Sequence, residues 1–176
     1  MRYVALLRGI NVGGNAKIEM SRLRQVFETL GSTNVITYIN SGNVLFDDNR
    51  GRNDLPHIIE QAIQEEFALN VPVLVRTADE IQALAALIPA DWSNDTVQRT
   101  DVLFLWDTID NDEILAKVKI NQDIERLIYT PGALIWNIGR EHVRRGAAIK
   151  LIKTDVYKQM TIRNSTTVRK LANLLK

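Results

Sequence analysis

The sequence predicts an α+β fold that consists of two consecutive copies of one small unit. Three observations lead to this prediction. The same order of hydrophobic patterns, typical of alternating strands and helices, occurs twice along the 176 residues. Residues of matching character recur between the halves at nearly constant spacing. The first strand of each half is continuously apolar, which indicates that both faces of each sheet are covered.

The period of the apolar residues predicts four strands and two helices in the first half. We expect Ser21 to cap the first helix, and Pro56 stands in the first turn of the second. In chain order the expected elements are a strand over 2–8, a helix over 20–30, strands over 34–40 and 43–47, a helix over 55–67 and a strand over 71–76. This β-α-β-β-α-β order is typical of ferredoxin-like folds. A further helix over 78–87 follows the capping box formed by Thr77 and Glu80.

The second half repeats this order after a polar stretch. Pro131-Gly132 separates its second and third strands, as Ser41-Gly42 does in the first half. The expected elements are a strand over 100–106, a helix over 112–118, strands over 125–130 and 133–138, a helix over 151–159, a strand over 160–163 and a last helix over 166–175.

Correspondence between single residues strengthens the prediction of a repeat. The first strands match at a spacing of 98 residues, the hairpins at 90, and the fourth strands with the helices after them at 87, so that Arg76 matches Arg163. Shorter loops in the second half account for the falling spacing. We therefore predict two tandem ferredoxin-like (βαββαβ) subdomains, over 1–95 and 96–176, each followed by one extra helix and related by internal duplication.

The composition excludes several classes of protein. The chain has no cysteine, which excludes disulfides and cysteine-ligated metals, and it has only two histidines. No apolar run approaches the roughly 18 residues of a membrane span, and the N-terminal run is too short for a signal peptide. We expect a cytoplasmic protein with no membrane partner, no cofactor and no metal.

The charge of the chain is unevenly distributed. From Gly139 onward there are ten Lys or Arg and two Asp or Glu, a net charge of +8, whereas the preceding residues have a net charge of −7. A basic half is either a solvated face or a surface for phosphate or nucleic acid. Stacking on RNA bases is not expected, because residues 42–46 lack the aromatic residues of an RNA-recognition strand. Contacts to a nucleic-acid backbone would use Arg144, Arg145, Lys150, Lys153 and Lys170.

A glycine- and amide-rich segment directly after the first strand indicates a binding site. In the predicted topology this segment shares an edge of the sheet with the turn between the second and third strands. Glycines let the main chain approach a ligand, so that its N–H groups bind an anion, and a guanidinium adds positive charge. The predicted site residues are Arg8, Gly9, Asn11, Gly13, Gly14 and Asn15 from the segment and Asn40, Ser41, Gly42 and Asn43 from the turn.

The second half lacks this segment and has an acidic stretch without glycine over 106–112. The glycines are therefore not needed merely to connect a strand to a helix, which favours a functional role for them. Asp107, Asp110 and Asp112 in the acidic stretch suit Mg²⁺ chemically, but helix caps and turns explain them as well.

Motifs of known enzymes are incomplete in this chain. Gly9 and Gly14 have the spacing of a P-loop, but Asn15 and Ala16 replace its lysine and hydroxyl residue. Ser41 lacks the G-x-S-x-G context of a nucleophile. The sequence therefore assigns no catalytic residue and leaves open whether the protein is an enzyme.

Three segments, Leu6–Gly14, Tyr38–Val44 and Thr161–Asn164, resemble the hallmarks of domain-of-unknown-function family 1697. The resemblance covers essentially the whole chain. It implies an α+β fold with two similar subdomains and an origin among mainly bacterial proteins, and it passes on no catalytic assignment. Family members often have an aromatic residue where this chain has Ser165. Because all three segments place polar residues at strand ends, Arg163 and Asn164 join the candidate ligand-binding residues.

Three functions fit these observations. The leading hypothesis is binding of a small anionic or phosphorylated ligand, with Arg8 as counter-charge, main-chain N–H groups as donors, and Asn11, Ser41 and Asn43 fixing its orientation. The alternatives are binding of a nucleic-acid backbone by the basic half, and a structural or assembly role. The sequence leaves the oligomeric state open.

Overall fold

Two four-stranded antiparallel sheets with helices form an α+β fold in the computed structural model, which describes residues 1–13 and 16–176. The chain divides into a first unit, residues 1–81 with 175–176, and a second unit, residues 82–174. Each unit contains one of the sheets. Within the described ranges, no helix has the length and apolar character that crossing a membrane requires.

The sheet of the first unit has the strand order β2-β3-β1-β4, and every pairing is antiparallel. Its elements are β1 (Arg2–Leu7), α1 (Met20–Thr29), β2 (Thr33–Tyr38), β3 (Asn43–Asp47), α2 (Leu55–Phe67) and β4 (Val73–Thr77), and α3 (Ala78–Leu87) follows. All of these elements lie within a few residues of their predicted positions.

The core of the first unit lies between its sheet and the helices α1 and α2. Tyr3, Ala5 and Leu7 alternate along β1 toward this core and are fully buried. Val4 and Leu6, on the opposite face of the same strand, are fully buried as well. The continuous apolar run of β1 therefore has both faces covered, as predicted.

The ends of two helices test the predicted caps. The capping box before α3 is confirmed, because the N–H of Glu80 donates to Thr77 Oγ1 at 3.2 Å and the N–H of Thr77 donates to Glu80 Oε2 at 2.7 Å. The prediction that Ser21 caps α1 is wrong. Glu19 is the N-cap residue, and Ser21 lies in the first turn because Met20, which packs against the core, already belongs to the helix.

The sheet of the second unit has the order β6-β7-β5-β8, again with only antiparallel pairings. The elements are β5 (Gln98–Leu105), α4 (Ile114–Lys117), β6 (Glu125–Thr130), β7 (Ala133–Gly139), a 3-10 helix (Arg140–Arg145), α5 (Ala147–Leu151), α6 (Asp155–Lys158), β8 (Met160–Asn164) and α7 (Ser165–Leu174).

The helices between β7 and β8 differ from the prediction. A single helix over 151–159 was expected, but the chain forms a 3-10 helix and then α5 and α6. Thr154 separates the last two, because its hydroxyl donates to the carbonyl of Leu151 at 2.7 Å and its side chain accepts from the N–H of Tyr157. A threonine whose side chain bonds the main chain in this way favours the start of a new helix over continuation of the old one.

Candidate functional site

The loop that follows β1 and the turn between β2 and β3 meet at one edge of the first sheet. The N–H of Leu7 donates to the carbonyl of Gly42 at 2.8 Å, and Asn11 Nδ2 donates to the carbonyl of Asn40 at 2.9 Å. The contact follows from the topology, because β1 and β2 run parallel to each other and both end here. We call the described residues 8–13, 16–18 and 39–43 the loop edge.

Asn11 organises the loop edge through its side-chain amide. Besides the bond to Asn40, Nδ2 donates to the carbonyl of Ile18 at 2.9 Å, and Oδ1 accepts from the N–H of Ile18 at 2.9 Å. The side chain of Ile18 is buried in the core. Asn11 therefore closes the loop and fixes it to both the core and the turn, whereas the sequence predicted that it orients a ligand.

The main chain of the loop alternates between positive and negative φ. Gly9, Asn11 and Gly13 have φ of +74°, +53° and +63°, and Ile10 and Val12 between them do not have positive φ. Loops with such alternation occur at main-chain anion sites. Within this loop the N–H of Asn11 donates to the carbonyl of Ala16 at 3.1 Å. Gly9 and Gly13 are exposed, and a Cβ atom added to either would meet no atom of the described residues within 4 Å. The loop is therefore open to an approaching ligand at both glycines.

The turn opposite the loop is closely packed at Gly42. This residue has a φ of +77°, and a Cβ atom there would lie 2.7 Å from Leu7 Cβ and 2.8 Å from Ile10 Cδ1. Ile39 has a φ of +50°, a conformation that β-branched residues rarely adopt. The close packing and the unusual φ indicate that the shape of the turn is fixed by its surroundings.

Asn43 is buried at the first position of β3. Its Nδ2 atom donates to the carbonyl of Tyr38 at 3.0 Å and to Ser41 Oγ at 3.1 Å. Ser41 is half-buried and Asn40 is exposed. Asn43 thus supports the turn from its buried side, and Asn40 and Ser41 are the polar turn residues that reach solvent.

Charged side chains flank the loop edge. Arg8 is half-buried at the end of β1, where its N–H donates to the carbonyl of Pro72 at 2.9 Å. An open groove of about 860 Å³ lies beside the loop and is lined by Asn11, Lys17, Glu19 and Asn40 among others. Arg8 and Lys17 place two positive charges around the loop, and Glu19 contributes one negative charge. Gly14 and Asn15, which the sequence also predicted as site residues, lie outside the described residues.

Arg163 and Asn164 belong to the second unit, whereas the loop edge belongs to the first. Arg163 is buried, and its Nη1 atom donates to Thr161 Oγ1 at 3.0 Å and to the carbonyl of Ile162 at 2.8 Å. Burial lowers the pKa of Arg163 to about 10. Asn164 Oδ1 accepts from the N–H of Thr167 at 2.8 Å and so caps the start of α7.

The acidic stretch of the second unit has a structural role at the corresponding turn. Asp110 accepts from the N–H of Gly132 at 2.7 Å and from the hydroxyl of Tyr129 at 3.1 Å. Asp107 and Asp112 are exposed. Among the described residues, no group of three or more carboxylate or imidazole side chains is arranged to hold a metal ion.

The five basic residues of the nucleic-acid hypothesis are all exposed: Arg144, Arg145, Lys150, Lys153 and Lys170. Exposure is what both a solvated face and a phosphate-binding surface require, so nucleic-acid binding stays a prediction.

A pocket in the second unit was not predicted from the sequence. Asp101, on β5, is 5% exposed and lines this pocket together with Arg99 and Trp136. The sequence does contain one signal that could have indicated this pocket, namely a charged residue beside a continuously apolar run, as in Asp101-Val102-Leu103-Phe104-Leu105. The remaining walls come from residues 118–162, which sequence periodicity does not bring together.

Comparison with known proteins agrees with the fold. The sequence model described as "Protein of unknown function (DUF1697)" matches residues 1–136. The chain is similar to the solved structure of the conserved bacterial protein SP0830 from Streptococcus pneumoniae, with 32% identity and a TM-score of 0.85 over 99% of this chain and 98% of the other. No curated protein sequence matches it significantly. Because the family match extends over well more than half of its length, the chain belongs to the DUF1697 family, whose function is unknown.

Proposed function

We propose that the loop edge binds a small anionic or phosphorylated ligand. The observation that carries the proposal is the alternation of φ over Gly9, Asn11 and Gly13 in a loop whose glycines are exposed. Main-chain N–H groups of such a loop can donate to an anion without any titrating group. The N–H of Asn11 is not one of these donors, because it is bonded to the carbonyl of Ala16 at 3.1 Å. The ligand class is therefore defined by negative charge and by size.

Pre-organisation supports this proposal. Three hydrogen bonds from the Asn11 side chain to the main chain hold the loop in its alternating conformation, so little order has to be created on binding. The positive φ of Ile39 adds local strain on the exposed side of the turn. Strained residues cluster at binding sites because the surrounding structure maintains them for a purpose other than stability.

Charge supports it as well. Arg8 provides a permanent positive charge at the end of β1, and its planar guanidinium suits two oxygen atoms of a phosphate or carboxylate. Lys17 adds a second charge from the groove. Lysine binds phosphate as a point charge, which restricts geometry less than arginine does.

The test is the thermal stability of the whole protein in the presence of inorganic phosphate, sugar phosphates and nucleotides. A ligand present at a hundred times its Kd adds about 2.7 kcal/mol to the free energy of unfolding. We expect at least one of these compounds to raise Tm in a saturable way, and we expect Arg8→Ala to remove most of the rise. Arg24→Ala is the matched control, since Arg24 is an exposed arginine of α1 that pairs with Glu28.

Two glycine substitutions distinguish the loss of ligand binding from the general effect of backbone strain. Gly13→Ala and Gly31→Ala both introduce a side chain at positive φ, +63° and +88°, and both have open space around the new Cβ atom. Each is expected to cost about 1 kcal/mol of stability. Only Gly13→Ala should weaken the binding of the ligand. Equal ligand responses in both variants, or no response of the wild type to any compound, would contradict the proposed function.

We propose in addition that the chain consists of two ferredoxin-like copies, over 1–95 and 96–176, related by duplication. Sheet register supports this, because Val4 pairs with Arg76 in the first sheet and Val102 pairs with Arg163 in the second. These partners differ by the spacings of 98 and 87 residues found in the sequence. An experimental structure in which one of the two registers is shifted by a residue would contradict the duplication.

Main-chain hydrogen bonds at the turns follow the same spacings. Leu7 donates to Gly42 in the first unit, and Leu105 donates to Gly132 at 2.9 Å in the second. The first residues differ by 98 and the second by 90. Independent origins of the two sheets would not require the sequence spacings of 98, 90 and 87 residues to recur in the pairing of the strands.

A further inference from the structure

A small pocket lies in the second unit between one face of its sheet and the segment 143–157. Its free volume is about 100 Å³, and its lining is predominantly apolar. An apolar cavity of about 150 Å³ in another protein holds benzene, so a volume of this order suits one ring or a short branched chain. Drug-sized ligands need about 300 Å³ or more, so this pocket is too small for them.

The walls of the pocket are held in place by a buried carboxylate. Trp136, which is 3% exposed, donates from Nε1 to Glu125 Oε1 at 2.8 Å. The same oxygen accepts from the N–H of Ala147 at 2.7 Å, and Glu125 Oε2 accepts from the N–H of Asn121 at 2.7 Å. Glu125 thus joins the wall of the pocket that the sheet forms to the wall that begins at α5. The pocket therefore has a defined shape.

The buried carboxylate of Asp101 lines this apolar space. Asp101 Oδ2 accepts from Arg99 Nε at 2.7 Å, but Asp101 Oδ1 accepts no hydrogen bond from the described residues. The carboxylate is buried, and burial raises the pKa of Asp101 above its ordinary value, although Arg99 opposes the shift. Among the described residues, Ser165 Oγ is the fully buried side-chain polar atom that lacks a partner, so Asp101 Oδ1 is not completely enclosed and can accept from a donor that enters the pocket.

We propose that this pocket binds a small, mainly apolar molecule, of about ten non-hydrogen atoms or fewer, with one O–H or N–H group that donates a hydrogen bond to Asp101. The apolar body packs against Leu103, Trp136 and Leu151, and the donor meets the carboxylate. A negatively charged ligand is disfavoured, because the guanidinium of Arg99 is already bonded to Asp101 and lies over the ring of Trp136, 5.8 Å from its centroid. The site belongs to the second unit and is independent of the loop edge.

Titration of the ¹⁵N-labelled protein with three related probes tests this inference. Benzyl alcohol has a ring and a donor, toluene has the ring without a donor, and benzoate has the ring with a negative charge. We expect benzyl alcohol to shift the indole resonance of Trp136 and the amide resonance of Leu103 in a saturable way, with a Kd of about millimolar order for so small a ligand. Toluene should bind about fivefold more weakly, since it lacks one hydrogen bond, and benzoate should not bind.

Two variants locate the response. Ala148→Phe fills the pocket and should abolish the shifts, whereas the same change at the exposed Ala116, outside the pocket, should leave them unchanged. Asp101→Leu keeps the shape of the side chain and removes the acceptor, and Arg99 is exposed enough to be hydrated in its absence. In Asp101→Leu we expect benzyl alcohol and toluene to bind equally well.

Two results would overturn the inference. One is the absence of saturable shifts with both benzyl alcohol and toluene. The other is a set of shifts that persists in Ala148→Phe, since the probes would then bind elsewhere. If Asp101→Leu does not fold, the comparison of Ala148→Phe with Ala116→Phe still decides whether the pocket is the site.

Discussion

The side-chain amide of Asn11 spans the gap between two segments that are 29 residues apart, and its Nδ2 atom lies 2.9 Å from the carbonyl oxygen of Asn40. The same side chain both donates to and accepts from the main chain of Ile18. Asparagine suits this position for two reasons: it tolerates the φ of +53° found here, and its amide offers a donor and an acceptor. Asn11 therefore joins the loop to the turn and to the start of the first helix region.

Asn11→Asp is expected to destabilise the protein by about 2 kcal/mol. Aspartate has nearly the same shape, but an ionised carboxylate cannot donate to the carbonyls of Ile18 and Asn40, and it places negative charge against both oxygen atoms. Urea unfolding at pH 7 measures the loss. Asn53→Asp is the control, since Asn53 is also an asparagine but is exposed before α2. Equal losses in the two variants would argue against a special role for Asn11.

Gly42→Ala is expected to cost about 2–4 kcal/mol, because the new Cβ atom collides with Leu7 Cβ and Ile10 Cδ1 in addition to the strain of positive φ. Gly31→Ala introduces the same methyl group at positive φ without a collision, so its cost of about 1 kcal/mol measures the strain alone. The difference between the two variants in denaturant unfolding isolates the packing at the turn. Similar costs would mean that the loop and the turn are not in close contact.

Low pH is expected to reduce the stability of the first unit, because it protonates Asp48. Hydrogen bonds from Arg50 and Ser32, with the charge of Arg50, hold the pKa of this buried carboxyl group well below its ordinary value. A carboxyl group with a lowered pKa binds its proton more weakly in the folded state than in the unfolded state. Its contribution is therefore fully present above about pH 4–5 and is lost as the pH falls below the unfolded value of about 4.

Asp48→Asn tests this pH dependence. The variant should be less stable by about 2 kcal/mol at pH 7, and the difference from wild type should shrink as the pH falls toward 2. Asp79→Asn, at an exposed position of α3, is the control and should leave the pH profile nearly unchanged. A constant difference between wild type and Asp48→Asn over this range would show that the charge of Asp48 does not stabilise the fold.

Nucleic-acid binding by the basic half predicts a strong dependence on salt. If Arg144, Arg145, Lys150, Lys153 and Lys170 contact five phosphates of a duplex, the slope of log K against log salt concentration should be about −4.5. Fluorescence anisotropy with a labelled duplex measures it between 50 and 200 mM salt. No binding at low salt, or a slope near zero, would exclude this alternative and leave a solvated basic face.

The sequence predicted elements best where packing repeats with the period of the element. The bounds of α2 were predicted residue for residue, since Leu55, Ile59 and Ile63 recur every four residues and bury one face. The single helix predicted over 151–159 was wrong because Ile152 is 56% exposed and Thr154 bonds the main chain. Side-chain hydrogen bonds to the main chain change local structure without changing the hydrophobic pattern.

At the candidate site, the sequence predicted which segments meet, and the ligand-binding roles of single residues stay predictions. The meeting of the loop with the turn followed from strand directions, which the element order determines. The inward bonding of Asn11 and the burial of Asn43 could not be predicted, because residue type does not reveal whether an amide faces solvent or its own main chain. The Asp101 pocket depends on segments distant in sequence, and only tertiary structure assembles it.

Titration of the ¹⁵N-labelled protein with inorganic phosphate tests binding at the loop edge most directly. The amide resonances in such a titration report on the main-chain N–H groups that are the proposed donors. We expect saturable shifts of the amide resonances of residues 9–13 in the wild type, much weaker shifts in Gly13→Ala, and wild-type behaviour in Gly31→Ala. Shifts that do not saturate, or that map to other parts of the chain and persist in Gly13→Ala, would contradict anion binding at this edge.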